Sequence, residues 1–232
     1  MNSFMARVEG KLIISCQAQP GEPLHGSAHM AAMARAAAEA GAGAIRAESP
    51  ADIAAIRAVV DLPILGLYKQ KIFEGNWCRI TPTYAAAREV VAAGADAIAT
   101  EATGAPRPDG QMLTQFMTLC MLELERPVVA DVSTVEEGLL AAEQGAIAVA
   151  TTMSGYTLQS GGPRQTPDFE LLEALVQRCP VPVILEGHVW EPAHVTEGFR
   201  RGAFAVVVGS AITRPQLIAR RFVEAVPPRE EA

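Results

Sequence analysis

Lys69, Asp131 and Glu186 each stand directly after a short apolar run: PILGLY before Lys69, PVVA before Asp131 and PVIL before Glu186. Gln17 closes a similar run at 11–17, and Arg46 and Glu48 lie in another at 43–48. Ionisable groups placed this way cost desolvation unless they are paired or used. A lysine can take a proton from carbon once its pKa falls from about 10.4 towards 7, a shift of about 4.5 kcal/mol. A carboxyl group beside it can pass the proton on. A lysine in the same place can also form a Schiff base with a carbonyl substrate. A second group points to an anion. Glu186 is followed by Gly187, and the last apolar run leads into Gly209-Ser210-Ala-Ile-Thr-Arg214-Pro215. Glycines let backbone N–H groups face a phosphate, a helix opening after Arg214 adds its positive end, and Arg214 supplies a charge-assisted bond. No His, Asp or Glu cluster has ligand spacing, so no metal is expected.

These residues need a frame that brings their runs to one place. Eight apolar runs read as strands: 11–17, 43–48, 63–69, 97–103, 127–133, 148–154, 182–188 and 204–210. Most lack alternation, as suits parallel strands buried on both faces. A longer period lies over them. AGAGAI at 40–45, AGADAI at 93–98, QGAIAV at 144–149 and RGAFAV at 201–206 repeat one phrase, and their glycines are separated by 53, 51 and 57 residues. LPILG at 62–66, RPVVA at 126–130 and VPVIL at 181–185 repeat another. Four copies of a two-strand, two-helix unit predict a closed (β/α)8 TIM barrel with a phosphate site after strands 7 and 8. Helix starts are marked by Ser49-Pro50, by a capping box at Ser133-Thr-Val-Glu136, by Thr166-Pro167-Asp168 and by Arg214-Pro215. The active site of such a barrel lies at the C-terminal ends of the strands, where the residues above stand.

Composition sets the limits. The 232 residues suit a single domain, 1–232, with a lead-in at 1–10 and a polar tail at 224–232 that is expected to fray. Half the residues are hydrophobic and 19% are charged, which excludes a disordered chain. The net charge of −7 without a basic run argues against nucleic acid and against an anionic membrane surface. Any anionic ligand must be held by a local arrangement. No run reaches the ~18 apolar residues of a membrane span, and MNSFMARVEG has no apolar signal region. Cys16, Cys78, Cys120 and Cys179 form no Cys-x-x-Cys pair and read as free thiols of a reducing cytoplasm.

With these motifs assembled, the sequence resembles the N-acylglucosamine-6-phosphate 2-epimerases, also called N-acetylmannosamine-6-phosphate 2-epimerases. The resemblance is carried by LIISCQAQPGEPL (12–24), AIRAE (44–48), ILGLYK (64–69), ITPT (80–83), PRPDG (106–110), ADVSTVEEG (130–138), TTMSGYT (151–157), PDFELLEALV (167–176), PVILEG (182–187) and VVVGSAITRP (206–215). It implies a cofactor-free isomerase of sialic acid catabolism that interconverts N-acetylmannosamine 6-phosphate and N-acetylglucosamine 6-phosphate. It also implies that Lys69 and Glu186 are catalytic, that Gln17, Arg46 and Asp131 bind substrate, and that Gly187, Gly209, Ser210 and Arg214 bind phosphate. The partner is then a small amino-sugar phosphate, and barrels of this kind are commonly homodimers.

The sequence departs from the family pattern in places. The fourth strand reads Thr100-Glu101-Ala102-Thr103 where Leu-Asp-Ala-Thr is usual, and Ala105 stands where an arginine is expected. His188 replaces a Lys or Arg, Ser49 a glycine and Gln70 an arginine. These changes leave open a paralogue acting on another sugar phosphate. A Schiff-base lyase and a non-catalytic sugar-phosphate binding barrel also stay open. In the favoured reading Lys69 moves the proton at C2, Glu186 is its acid/base partner and assists ring opening, and Arg46 and Asp131 position the substrate.

Overall fold

The computed structural model describes residues 3–71 and 78–227. Eight parallel strands close into a barrel: β1 Leu12–Cys16, β2 Ala44–Glu48, β3 Ile64–Leu67, β4 Ala97–Glu101, β5 Val128–Asp131, β6 Ala148–Ala150, β7 Val183–Leu185 and β8 Ala205–Val208. Each strand pairs with its neighbours in chain order, and β1 pairs with β8 in the register Leu12↔Val206, Ile13↔Val207, Ile14↔Val208 to complete the ring. A helix of eight to thirteen residues follows every strand, from Ser27–Glu39 after β1 to Pro215–Glu224 after β8.

The four-fold sequence repeat has a packing cause. Ala44, Ala97, Ala148 and Ala205 occupy the same place in the repeated phrase, and all four are fully buried inside the barrel. Opposite them in register the odd strands supply Ile13, Leu65, Val129 and Ile184. Small side chains from even strands against large ones from odd strands fill the tapered interior in layers. A second core, between barrel and helices, holds Met30, Ile45, Ile53, Ile56, Phe116, Leu172 and Val206 among others.

Local signals act much as the sequence suggests. Gly41, Gly94, Gly145 and Gly202, at φ 88° to 105°, end the helices before the even strands, where a left-handed residue costs a glycine least. The Ser49 hydroxyl accepts from Asp52 N ahead of the helix Pro50–Arg57. The second cap lies one residue later than expected. Thr134, not Ser133, caps Val135–Glu143, and Glu137 completes the box. Ser133 still donates its hydroxyl to Glu137 at 2.8 Å, so both neighbours share one carboxylate.

One strand reading needs correction. The third apolar run does not continue as one strand to Lys69. β3 stops at Leu67, and Lys69–Lys71 pairs antiparallel with Cys78–Ile80 as a short ribbon above the barrel. The lead-in at 1–10 contains an element of its own. Ser3–Val8 is a helix that buries Phe4, Met5 and Val8 against the inner core. The tail is helical to Glu224, and residues 228–232 lie outside the described residues.

Candidate active site

At the C-terminal ends of the strands lies a cavity of about 910 Å³. Of the residues singled out from sequence, Gln17, Lys69, Glu186, Gly187, Gly209, Ser210 and Arg214 line it. Arg46 and Asp131 do not. Their side chains are 1% and 0% exposed, below the cavity floor.

That floor is a charge cluster. Arg46 donates from Nη1 to Asp131 Oδ1 at 3.2 Å and from Nη2 to Oδ2 at 2.7 Å, a bidentate pair. Its Nη1 also lies 3.0 Å from Glu186 Oε2, an ion pair without hydrogen-bond alignment. Burial works against the charge of Arg46, and the two carboxylates more than offset it, so its pKa is raised. Glu186 is placed by Thr151, whose hydroxyl donates to the Glu186 carbonyl at 2.9 Å and accepts from its N–H at 3.0 Å. Thr152 donates to Asp131 Oδ1 at 2.6 Å and its hydroxyl also favours the Glu186 anion. Burial pushes the Glu186 carboxyl up to about 7. Arg46 opposes the rise, Asp131 adds to it, and the Lys69 charge is near enough to oppose it as well. A carboxyl poised there can hold or release a proton near neutral pH.

Lys69 enters the cavity from the ribbon. Its backbone N–H donates to Glu48 Oε1 at 3.1 Å, and its Nζ donates to Gln17 Oε1 at 2.7 Å. Gln17 in turn donates from Nε2 to Ser15 Oγ at 2.8 Å, which fixes its amide with the oxygen towards the lysine. The Arg46 guanidinium is taken up by Asp131 and Glu186.

The same cavity is lined by Gly187, Gly209, Ser210 and Arg214. Gly187 has φ 102°, which disfavours any side chain there. A Cβ on Gly209 would approach Ser15 Cβ to 3.2 Å. Gly209 leads into the short helix Ser210–Thr213, and Arg214 precedes the helix Pro215–Glu224. The Arg214 guanidinium is paired with Glu22, on the loop after β1, and its Nε is buried without a hydrogen-bond partner among the described residues.

Sequence reasoning passes over Glu22, Tyr156 and Trp190, which line the same cavity. Glu22 and Tyr156 fall inside the segments QAQPGEPL and TTMSGYT, the only signal they give. His188, at φ 57°, stacks on Tyr156 with ring centroids 5.5 Å apart and planes 15° from parallel. Arg79 supplies a guanidinium near the position where Ala105 replaces the expected arginine. It donates to Glu101 Oε2 at 2.7 Å and to the Ala105 carbonyl at 3.2 Å.

Cys16, Cys120 and Cys179 are free, and burial pushes the Cys16 and Cys120 thiols up to about 12. The Cys78 side chain lies outside the described residues. Among the described residues no group of three or more His, Cys, Asp or Glu could hold a metal ion, and no helix is long and apolar enough to cross a membrane.

Residues 30–228 match the protein family described as "Putative N-acetylmannosamine-6-phosphate epimerase". A protein of Caldanaerobacter subterraneus named "Putative N-acetylmannosamine-6-phosphate 2-epimerase" is 44% identical over 221 residues, covering 95% of this chain and 92% of that one. A protein of Clostridioides difficile with the same name is 42% identical, over 96% of this chain and 99% of its own. Among solved structures, the N-acetylmannosamine-6-phosphate 2-epimerase from Clostridium perfringens superposes with a TM-score of 0.92 at 40% identity, covering 97% of both chains. A thiamine phosphate pyrophosphorylase from Pyrococcus furiosus, at TM-score 0.60 and 18% identity over 94% of this chain and 98% of that one, shares the fold alone.

Proposed function

The chain belongs to the N-acetylmannosamine-6-phosphate epimerase family, and from that membership we propose that it is an isomerase interconverting N-acetylmannosamine 6-phosphate and N-acetylglucosamine 6-phosphate. The observation that carries this reading is one cavity lined both by Lys69 and Glu186, suited to proton transfer, and by Gly187, Gly209, Ser210 and Arg214, suited to an anion.

Inverting C2 requires an open ring, because the C2 proton is acidic only beside a C1 carbonyl. A base removes that proton, the electron pair moves to the C1 oxygen as an enolate, and a proton returns to the opposite face of C2. Lys69 and Glu186 are assigned to these transfers. Glu186, with its pKa near 7, exists in both protonation states at neutral pH. It is suited to take the proton of the C1 hydroxyl as the ring opens, or to serve one face of C2. Lys69 serves C2 and, when charged, stabilises the enolate oxygen. Arg46 and Asp131 support Glu186 from below in this scheme. Their burial assigns them the orientation and protonation of Glu186 more than direct contact with the sugar. The 6-phosphate is assigned to Gly187, Gly209, Ser210 and Arg214, where it would compete with Glu22 for Arg214.

Proton NMR of N-acetylmannosamine 6-phosphate with the protein in D2O tests the reading. The expected result is N-acetylglucosamine 6-phosphate carrying deuterium at C2. Cleavage of the carbon chain would indicate a lyase instead. No exchange at C2 would leave a binding barrel and overturn the proposal.

A further inference from the structure

We propose that Arg79 and Glu101 form a positioning pair that aims Lys69 into the cavity, an inference that rests on the assignment of Lys69 as a proton-transfer residue. Among the described residues the ribbon that carries Lys69 has the register Lys69↔Ile80, Gln70↔Arg79 and Lys71↔Cys78. A lone two-stranded ribbon has little stability of its own, so its orientation must be imposed by what it touches. Side chains alternate across it. Lys69 and Ile80 face the cavity and line it, which turns Arg79 to the opposite face.

There Arg79 meets the end of β4. Its Nε donates to Glu101 Oε2 at 2.7 Å, with the two side chains 13% and 5% exposed. Nη1 donates to the Pro106 carbonyl at 3.1 Å and Nη2 to that of Ala105 at 3.2 Å. Thr103 donates its hydroxyl to the other carboxylate oxygen at 2.6 Å, so Glu101 is held from both sides. One guanidinium thus ties the ribbon to a barrel strand and to the loop that follows it. Arg107 secures the root of the ribbon, donating to the Pro82 carbonyl at 2.8 Å and to Thr100 Oγ1 at 3.0 Å.

A buried ion pair contributes little net stability against an apolar replacement, yet losing one partner strands the other charge. What the pair fixes is geometry. Neither group lines the cavity. In this proposal its effect on turnover passes through the ribbon and not through Asp131, the register partner of Glu101 on β5, and displacement of a reacting group by about 1 Å can cost of order 10²-fold in rate.

The test is steady-state kinetics and C2 exchange on Glu101→Gln, Arg79→Lys, Lys69→Ala and the double variant Lys69→Ala/Glu101→Gln. For Glu101→Gln we expect kcat to fall about 10- to 100-fold with KM within about threefold. Arg79→Lys keeps the charge and gives up the fork to the two carbonyls, so it should recover part of that loss. In the Lys69→Ala background Glu101→Gln should cost nothing further, because a residue acting through Lys69 has no route left. Wild-type kcat in folded Glu101→Gln would overturn the proposal while leaving the Lys69 assignment standing. Equal losses with and without Lys69 would overturn it too. Wild-type exchange in Lys69→Ala would remove the assignment of Lys69, and this proposal with it. Should neither Glu101→Gln nor Arg79→Lys fold, the pair is a structural tie and not a positioning device.

Discussion

Arg46 sits between two carboxylates, so the proton on Glu186 answers to Asp131 as well as to its own burial. Two predictions belong to this cluster. Asp131→Asn removes the anion that raises Glu186 and leaves Arg46 with one carboxylate to neutralise, and both effects lower the Glu186 pKa. The inflection that Glu186 contributes to kcat/KM should therefore move to lower pH than in the wild type. Ionisation of the substrate phosphate is common to both enzymes and cancels when the two profiles are divided. An inflection that stays in place or moves up would detach Glu186 from the pH dependence. The second prediction concerns stability. Glu186 has a folded pKa of about 7 against an ordinary 4.5, so between those values the native state binds more protons than the unfolded state. Stability free of this penalty below about pH 4.5 is lost as pH rises towards 7 and changes no further above it. Glu186→Gln has no such proton to lose. Its Tm should vary less than the wild-type Tm between about pH 5 and pH 8, and a parallel pair of Tm curves would argue against the raised carboxyl. The position of most of these residues can be read from the sequence, since the end of an apolar run marks the end of a barrel strand. The depth of Arg46 and Asp131 cannot. It depends on the two side chains meeting across the barrel, a contact between residues 85 apart in the chain.

Strands carry that logic to the next scale, and Gly66 in β3 shows how tightly they are built in. A Cβ at Gly66 would stand 2.6 Å from Ala95 Cβ and 2.7 Å from Val90 Cγ1, with Ile53 Cδ1 at 3.0 Å. Those neighbours are buried on the helices and turns packed outside the barrel, so they have little room to retreat. Gly66→Ala should destabilise the fold by about 1–3 kcal/mol, read as a lower urea midpoint at unchanged m-value. A midpoint equal to the wild type would mean that β3 can move off the helix layer. The same element shows where sequence reading stops. The strands are legible because the even ones repeat a small-residue phrase and the odd ones from β3 onward a large-residue one, and that pattern is the inner packing itself. The ribbon after β3 is not legible. The three residues described on each side are too few to show a period, and Lys69 reads as the end of the apolar run before it. The cap at Thr134 differs by one residue from the motif's reading for a related reason: Ser133 and Thr134 both bond Glu137, and either hydroxyl satisfies the motif.

The whole barrel has one end built for chemistry and one for closure. A chain of net charge −7 gives a phosphorylated sugar no general attraction, and the cations near the mouth are few and placed: Lys69 on its ribbon and Arg214 against Glu22. At the opposite end the helix Ser3–Val8 sets Phe4, Met5 and Val8 on the inner core, beneath the layer that contains Ala44, Ala97, Ala148 and Ala205. Phe4 is 3% exposed and does there what no alanine in the repeat is large enough to do. Phe4→Ala should cost about 3–5 kcal/mol, because the removed ring leaves a cavity that a closed ring of strands cannot collapse to fill. Between Phe4 and the cavity that holds Lys69 and Glu186 stand the packed inner layers, whose strands are fixed to each other around the full ring. Sites separated in this way contribute independently. Denaturant titration should therefore show the loss in full, while kcat measured well below the new midpoint stays within about twofold of the wild type. A kcat that falls in step with stability would show that the closing helix also shapes the mouth, and the division of labour between the two ends would have to be abandoned.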